Sequence, residues 1–348
     1  MSSDPATVLV TGANGYLALH VIEQVLKRGY NVCGTVRSKK TADKVRTKFP
    51  ADYGTRATTA TIEDLTKTEL FRDVFQGNIV GTIHVASPVH GHVKDNVRDM
   101  LEPAIKGVTG MLDAIKTYGS LSFKRVVHTS SIGAMLDTSK DPRIGYIYNE
   151  SDWNPLTFEE AASLEDRGVL YIAGKAPSPR APWAWMEYHK PNFDLSCLNP
   201  SVVFGPHLEQ VNSLEDVNST SKIMWVQLMD AREIPSLQWA GAIDVRDAAA
   251  MLAVALDTPA AGGERFLLAQ HFDWQSAADV AREVLPEDAK RRIPVGTPRT
   301  GMSDATARLY QVDGTKAVRM LGIKYRPMPE TVEDILKQFL AVEGKTKI

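Results

Sequence analysis

Thr7-Val-Leu-Val-Thr-Gly-Ala-Asn-Gly-Tyr-Leu-Ala-Leu-His20 joins a short apolar run to two glycines and the start of an amphipathic helix. The spacing Gly12-x-x-Gly15-x-x-Ala18 is a variant of the dinucleotide-binding fingerprint, in which the glycines allow a tight turn and close approach of a pyrophosphate. The first N–H groups of a helix lack intrahelical acceptors, and the helix dipole favours an anion there. The segment therefore predicts a nucleotide site. An ordinary strand–helix turn with small residues is the alternative.

Apolar β-rich runs alternate with helical patterns across about the first 200 residues, which is typical of a parallel doubly wound sheet. The predicted strands are Thr7–Thr11, Asn31–Val36, Arg56–Thr61, Ile79–Ala86, Arg125–Thr129 and Leu195–Phe204. The predicted helices are Gly15–Arg28, which Gly29 ends as a C-terminal cap, and Pro103–Tyr118. Gly241–Asp257 is predicted as a strand and a helix that return to the main sheet.

We therefore expect an α/β fold, a Rossmann doubly wound parallel sheet with a smaller mixed α/β C-terminal cap that binds substrate. Residues 1–206 form the predicted dinucleotide-binding part, to which residues 236–270 return. Residues 207–235, expected to be a flexible region over a pocket, and residues 271–348 form the predicted substrate-binding region.

Bulk properties narrow the class of protein. The 348 residues carry a formal net charge of -2, which gives no electrostatic case for nucleic acid or a membrane surface. No apolar run reaches the ~18 residues of a transmembrane helix, and the N-terminus lacks the pattern of a signal peptide. Cys33 and Cys197 lie in predicted strands without metal-ligand spacing, so we expect buried thiols and no metal. The expectation is a cytoplasmic protein.

The end of the second strand indicates which dinucleotide binds. NAD-binding chains of this type place an acidic residue about 20 positions beyond the glycines to bond the ribose 2′-OH. Here that strand ends in Arg37, and further cations follow at Lys39, Lys40, Lys44, Arg46 and Lys48. Because a 2′-phosphate attracts cations and repels carboxylates, Arg37 predicts NADP(H). A solvated basic helix face explains Arg46 and Lys48 well, but it explains Arg37 at the strand end poorly.

Tyr171 and Lys175 are spaced to lie on one face of a helix. A neighbouring ammonium lowers the pKa of a phenol, which suits the phenol to proton transfer. Upstream, the predicted strand Val126–Ser131 ends in hydroxyls, and strand ends face the ligand crevice of a doubly wound sheet. Each pattern alone is weak, but their order after the glycine motif predicts a reacting centre.

At these motifs the chain resembles the extended short-chain dehydrogenase/reductases, most closely their dihydroflavonol reductase, cinnamoyl-CoA reductase and yeast-type carbonyl (methylglyoxal) reductase branch. The resembling segments are Thr11–Tyr16, Gly34–Arg37, Glu63–Leu65, His84–Pro88, Pro103–Gly107, His128–Ser131, Tyr171–Lys175, Asn199–Pro206 and Asp244–Asp247. They cover roughly residues 5–260, whereas the C-terminal part matches loosely.

The resemblance implies roles for these residues. Tyr171 would protonate the carbonyl oxygen, Lys175 would bond the nicotinamide ribose and tune Tyr171, and Ser131, rather than Ser130, would polarise the carbonyl. The implied cofactor contacts are Thr11, Gly12, Asn14, Gly15, Tyr16, Leu17, Arg37, Lys44, Asp64, Leu65, Val85, Ala86, Ser87, Tyr171, Lys175, Pro200, Val202 and Val203.

The chain departs from this family after the lysine. Pro177, Pro179 and Pro182 cannot all sit in a regular helix, since each interior proline costs ~3 kcal/mol or more. The helix should end near Lys175 and a new one should start around Pro182, packed by Trp183, Trp185, Met186 and Tyr188. Because this helix often supplies the dimer interface in related reductases, we expect a monomer.

Other side chains fit two interpretations. His84 and His128 lie in predicted strands and are expected to be core histidines. Met224, Trp225 and Met229 have helical spacing, which suits an apolar substrate wall or a core helix equally.

The leading hypothesis is NADPH-dependent reduction of an aldehyde or ketone, on an aromatic or otherwise apolar substrate. Two alternatives remain. The same scaffold with bound NADP(H) performs epimerisation, elimination or another non-reductase step, which a helix broken after Lys175 would favour, or the protein is a nucleotide-sensing regulator.

Overall fold

A computed structural model of the chain describes residues 5–49, 53–87, 93–165, 180–229 and 231–346. Its strands are β1 (Thr7–Thr11), β2 (Asn31–Val36), β3 (Ala57–Thr61), β4 (Ile79–His84), β5 (Arg125–Thr129), β6 (Ile147–Tyr148), β7 (Asp194–Pro200), β8 (Val202–Phe204), β9 (Gly241–Asp244), β10 (Arg265–Leu268), β11 (Gln270–His271) and β12 (Gln311–Val312). Its α-helices are α1 (Tyr16–Lys27), α2 (Lys39–Lys48), α3 (Glu102–Tyr118), α4 (Phe158–Ser163), α5 (Arg180–His189), α6 (Ser219–Met229), α7 (Val245–Asp257), α8 (Trp274–Val284), α9 (Glu287–Lys290), α10 (Gly301–Arg308), α11 (Thr315–Leu321) and α12 (Met328–Thr346).

The main sheet has seven strands in the order β10-β7-β5-β4-β1-β2-β3. The pairs from β3 to β7 are all parallel. The strand order reverses between β1 and β4, and ligands of such sheets bind beyond the carboxyl ends of the strands at that point. The predicted Rossmann sheet is confirmed. A ligand-binding site is expected at the carboxyl edge of this sheet, between β1 and β4.

Helices cover both faces of this sheet. On one face, Leu9, Val126 and Leu195 pack in a buried cluster with α3 and α5. On the other, a Cβ at Gly81 of β4 would lie 2.6 Å from Leu256 Cδ1 of α7, so the strand and this helix pack closely. The alternating strand faces and the two helical layers together make the doubly wound arrangement.

Arg125 fastens the amino edge of the sheet. It is the first residue of β5, and its guanidinium bonds the Asp194 carboxylate at the start of β7 (Nη2–Oδ2, 2.8 Å). It also donates to the carbonyls of Ala255 (2.6 Å), Thr258 and Pro259 at the end of α7. The side chain is almost fully buried, so these bonds both neutralise its charge and satisfy the C-terminal carbonyls of a helix.

The chain folds into two compact units. The first comprises residues 1–137, 150–199 and 249–266, and the second comprises residues 138–149, 200–248 and 267–348. The functional division that the sequence predicts, with the cofactor in one part and the substrate in the other, stays a prediction.

Two expectations about the strands after residue 194 are wrong. Leu195–Phe204 is not one strand, because β7 ends at Pro200, which has no N–H to continue a ladder, and β8 pairs elsewhere. Gly241–Asp244 does not return to the main sheet, since it lies between β8 and β11 in a three-stranded sheet. The Ser201 N–H donates to Leu268 O and its hydroxyl to Gly241 O (2.5 Å), which fixes this crossing of the chain.

The second unit has its own apolar core. Met224, Trp225 and Met229 of α6 are buried in a cluster that also contains residues of α8 and α12. They form a core helix, which is the second of the two interpretations of these residues. The flexible region over a pocket expected at residues 207–235 stays a prediction.

A charged network also holds this unit together. The buried Asp244 carboxylate accepts hydrogen bonds from Arg246 (2.7 Å) and from the Thr331 hydroxyl (2.8 Å) of α12. Arg246 reaches Asp334 of the same helix (2.6 Å). Burial raises the pKa of Asp244, but the bonds from Arg246 and Thr331 outweigh it and lower the pKa below its usual range.

Helix α5 covers Arg180–His189 and includes Pro182. The predicted break between Lys175 and this helix falls outside the described residues and stays a prediction. Trp185 is buried and donates its indole N–H to Asp113 of α3 (2.8 Å), and Trp183 and Met186 pack in the same cluster. Tyr188, expected to pack, is instead 83% exposed. Among the described helices, none is long and apolar enough to cross a membrane.

Candidate active site

The glycine turn after β1 is built for close approach. Gly12 has φ +65°, in the left-handed region, and a Cβ there would lie 3.0 Å from Ala86 Cα. Gly15 donates its N–H to Gly12 O (2.9 Å) and caps α1 without using a side chain. The first turn of α1 carries no acidic residue, and Gly15 is exposed. An anion at Gly15 would therefore lie at the positive end of the α1 dipole, with no acidic side chain in the first turn of that helix.

Thr11 ties this turn to the end of β4. The N–H groups of Val85 and Ala86 both donate to its side-chain oxygen at 3.1 Å. The same oxygen lies 2.9 Å from His84 Nδ1. Two donors occupy the lone pairs of the hydroxyl, which leaves its proton to be donated towards Nδ1. Because Val85 and Ala86 bond to a side chain, β4 ends at His84 rather than at the predicted Ala86.

His84 and His128 are core residues, as predicted. Both are buried, and their rings stack with centroids 5.5 Å apart. They occupy paired positions at the ends of β4 and β5. The sequence does not predict the hydrogen bond between His84 and Thr11, the residue that also binds the Val85 and Ala86 N–H groups.

The end of β2 presents cations. Arg37 directly follows the strand, is exposed, and forms no ion pair with any residue that the structure describes. Ser38 caps α2 by accepting the Thr41 N–H, and Lys44 is exposed on that helix. Arg46 instead donates to Thr59 of β3 (3.1 Å), so this residue fits the alternative of a basic helix face without a role in cofactor binding. Arg37, at the end of the strand next to β1, therefore has no carboxylate partner in the part of the chain that the structure describes.

Asp64 is held in a tight turn. Its carboxylate accepts the Thr66 hydroxyl (2.7 Å) and the Thr66 N–H (2.9 Å), and these bonds lower its pKa. Leu65, half-buried, packs against the core under α3. Their predicted position beside an adenine stays a prediction.

Ser131 lies at the carboxyl edge of the sheet, two residues after the end of β5. Its backbone is extended, and its hydroxyl oxygen accepts the Gly133 N–H (3.2 Å) at the start of a 3₁₀ turn, Ile132–Ala134. Among the residues that the structure describes, none accepts the hydroxyl proton, which can therefore be donated to an acceptor such as a carbonyl oxygen. The hydroxyl of Ser130 is instead buried and has no hydrogen-bond partner among the described residues. This arrangement favours Ser131 over Ser130 as the residue that meets substrate.

The cysteines offer no nucleophile. Cys197 is fully buried in β7, and burial raises the pKa of its thiol to about 12. Burial also raises the pKa of Cys33, and both are free thiols. A thiolate is the reactive form, so neither is suited to covalent catalysis. Within the described ranges, no group of three or more His, Cys, Asp or Glu residues could hold a metal ion.

The structure also supplies a residue that sequence reasoning missed. Asn154 is buried, 1% exposed, and its side chain and main chain bond the turn that follows Ser131. No motif marks it, because its partners are backbone carbonyls some twenty positions away.

Tyr171 and Lys175 lie outside the described residues, as do Pro177 and Pro179. Their predicted roles and the predicted end of the helix near Lys175 stay predictions. Pro200, Val202 and Val203 flank the crossing between β7 and β8, with Pro200 buried and the two valines half-buried. Their contact with a nicotinamide is likewise untested.

The sheet order, the open turn at α1 and a serine at the same carboxyl edge define a dinucleotide-binding α/β protein with a polar reacting edge. Comparison with known proteins gives the family. The chain belongs to the NAD dependent epimerase/dehydratase family, whose sequence profile matches residues 8–269. The resemblance to the extended short-chain dehydrogenase/reductases is thereby confirmed.

Individual relatives match along the whole chain. NADPH-dependent methylglyoxal reductase GRE2 of Saccharomyces cerevisiae is 33% identical over 347 residues, which are 97% of this chain and 99% of the relative. Ketoreductase azaE of Aspergillus niger is 32% identical, over 98% of this chain and 99% of its own. The crystal structure of yeast methylglyoxal/isovaleraldehyde reductase Gre2 complexed with NADPH superimposes with a TM-score of 0.88 and 33% identity, covering 97% and 99% of the two chains.

Proposed function

We propose that the protein is an NADPH-dependent carbonyl reductase that converts an aldehyde or ketone into an alcohol. The observation that carries the proposal is the placement of Ser131, with a hydroxyl proton to donate, at the same carboxyl edge as the glycine turn. The full-length relatives are named as reductases, which supports reduction over the alternative of epimerisation or elimination.

The residues present fit a phosphorylated dinucleotide. Gly12 leaves no Cβ in the turn, so a pyrophosphate would reach the N–H groups at the start of α1. Arg37 would pair with the 2′-phosphate, because its charge is unneutralised and no carboxylate occupies the position that an NAD-binding chain uses. The loop at Val85 and Ala86, fastened to Thr11, would line the channel towards the nicotinamide.

When bound, the reduced nicotinamide supplies a hydride to the carbonyl carbon. Ser131 donates a hydrogen bond to the carbonyl oxygen and so stabilises the negative charge that develops there. Tyr171 delivers a proton to that oxygen, and Lys175 favours the phenolate that remains. Ser131 and Tyr171 would thus act as a pair of hydrogen-bond donors to the carbonyl oxygen. Because such donors are oriented before the reaction, little reorganisation of the site is needed when negative charge develops on that oxygen.

The relatives suggest the substrate class. Yeast Gre2 is named for methylglyoxal and isovaleraldehyde, and azaE is named as a ketoreductase. We therefore propose small aldehydes, 2-oxoaldehydes and apolar or aromatic ketones as the carbonyl compounds to be reduced. We also propose a monomer in the cytoplasm, which sedimentation of the purified protein and its localisation in cells would check.

Purified protein is to be tested by NADPH oxidation with methylglyoxal, isovaleraldehyde, β-keto esters and aryl ketones. Tyr171→Phe should keep NADPH affinity and lose most turnover. The matched control is Tyr188→Phe, which removes the hydroxyl of an exposed tyrosine and should leave turnover unchanged. Tight NADPH binding without oxidation on any carbonyl, together with recovery of a partner protein, would point to the nucleotide-sensing alternative.

A further inference from the structure

Asn154 holds the turn that follows Ser131 through two hydrogen bonds, and a third bond orients its side chain. Its side-chain amide donates to Gly133 O (2.9 Å) and its main-chain N–H donates to Ala134 O (2.8 Å). Its side-chain oxygen accepts the Leu156 N–H (3.0 Å), which fixes the orientation of the amide. Both ends of the side chain are thus used, and the turn receives two hydrogen bonds from one residue.

These bonds matter because the turn is short. A 3₁₀ turn of three residues satisfies few of its own carbonyls, and Gly133 and Ala134 are buried away from water. A buried carbonyl without a donor costs ~1–3 kcal/mol. The turn also contains the Gly133 N–H to which the Ser131 oxygen is bonded. The conformation of the turn therefore sets the direction of the Ser131 hydroxyl.

The segment that carries Asn154 is itself fixed. Arg265 donates to the carbonyls of Glu150 (2.7 Å) and Asp152 (2.9 Å). The Arg265 guanidinium lies 3.5 Å from the centre of the Trp153 ring. The Arg180 guanidinium lies 4.6 Å from the centre of the same ring. Cation–π contacts and hydrogen bonds thus hold the residues on the N-terminal side of Asn154.

We propose that Asn154 is a positioning residue for carbonyl reduction. It touches neither substrate nor cofactor in this role. It holds the Ile132–Ala134 turn so that the Ser131 oxygen stays bonded to the Gly133 N–H and its proton points to the carbonyl oxygen. The inference rests on the proposed function, since it requires Ser131 to act on the substrate.

Asn154→Asp tests this with little change in volume. A carboxylate still accepts the Leu156 N–H but cannot donate to Gly133 O, whereas a protonated carboxyl can. The kcat is therefore measured from about pH 6 to 9, and the loss should deepen as the carboxyl ionises. We expect kcat to fall about 10- to 100-fold, the penalty for a misplaced catalytic group, while KM and NADPH affinity change little. Thr58→Val is the matched control, because it removes a hydroxyl that donates to the Val32 carbonyl in the same unit, away from Ser131. Its kcat should equal that of the wild type.

A double-mutant cycle separates positioning from a general loss of stability. If Asn154 acts through Ser131, then Ser131→Ala combined with Asn154→Asp should be no slower than Ser131→Ala alone. Multiplied losses, or wild-type kcat in Asn154→Asp, would overturn the inference and leave the proposed function standing. Asn154→Ala serves as a second variant, checked by thermal unfolding with and without NADPH. If neither Asn154 variant folds, a role specific to Ser131 is overturned. Absence of turnover in the wild type would overturn the proposed function as well.

Discussion

Gly12→Ala would separate the backbone cost of the glycine turn from its role in binding. At φ +65° an alanine adopts the left-handed conformation, which lowers the free energy of unfolding by about 1–2 kcal/mol. Its Cβ would also lie 3.0 Å from Ala86 Cα and 3.3 Å from Ala86 N, closer than ordinary contact. Those are backbone atoms held by Thr11, so the turn rather than a flexible side chain must move.

Gly29→Ala is the matched control. Gly29 lies just beyond the other end of α1 with φ +93°, but a Cβ there meets nothing within 4 Å. Gly29→Ala should therefore cost only the conformational term, about 1–2 kcal/mol of unfolding free energy, and leave NADPH affinity intact. Gly12→Ala should destabilise the protein further and weaken NADPH binding by at least about tenfold, or about 1.4 kcal/mol.

Thermal unfolding gives the stability of each variant, and a fluorescence titration with NADPH gives the affinity. The comparison between the two glycines removes the shared conformational cost and leaves the contact with Ala86. Wild-type NADPH affinity in Gly12→Ala, or an equal loss of affinity in Gly29→Ala, would refute the assignment of this turn to the cofactor.

Three further predictions follow from the contacts. Thr11→Val should leave the Val85 and Ala86 N–H groups without their acceptor and weaken NADPH binding, whereas Thr11→Ser should retain it; a titration of both variants decides. Arg37→Glu should reverse the preference for NADPH over NADH in kcat/KM, and the same change at Lys48 on α2 should not. The pKa of Asp244 is lowered in the folded state, so its stabilising effect is present above its unfolded pKa of about 4 and is lost as pH falls through the folded value. Unfolding temperatures from neutral pH to about pH 3 should fall less steeply for Asp244→Asn than for the wild type, and equal slopes would contradict this.

The sequence predicts much of the sheet because local patterns specify its strands. Thr7–Thr11, Asn31–Val36 and Arg125–Thr129 agree with the structure in both bounds, since each is an apolar run ended by polar or turn-forming residues. The pattern fails where pairing is decided at long range. Leu195–Phe204 has the apolar character of one strand, and nothing local shows that its two halves join different sheets.

The candidate site divides in the same way. The glycine turn and Arg37 are visible in the sequence, because backbone freedom and charge are properties of single residues. Asn154 is invisible, since its function depends on carbonyls of a distant turn. His84 was recognised as a core residue, but its bond to Thr11 depends on the register of two paired strands.

The hydrogen bonds of Arg125 bear on which substitutions the protein can tolerate without losing stability. Its bonds join β5, β7 and the end of α7 at the amino edge of the sheet, whereas Ser131 and the glycine turn lie at the carboxyl edge. Because the anchoring bonds share no residue with the reacting edge, loops there can vary without loosening them. Directed evolution towards new carbonyl substrates should therefore randomise the carboxyl-edge loops and leave Arg125 and Asp194 untouched.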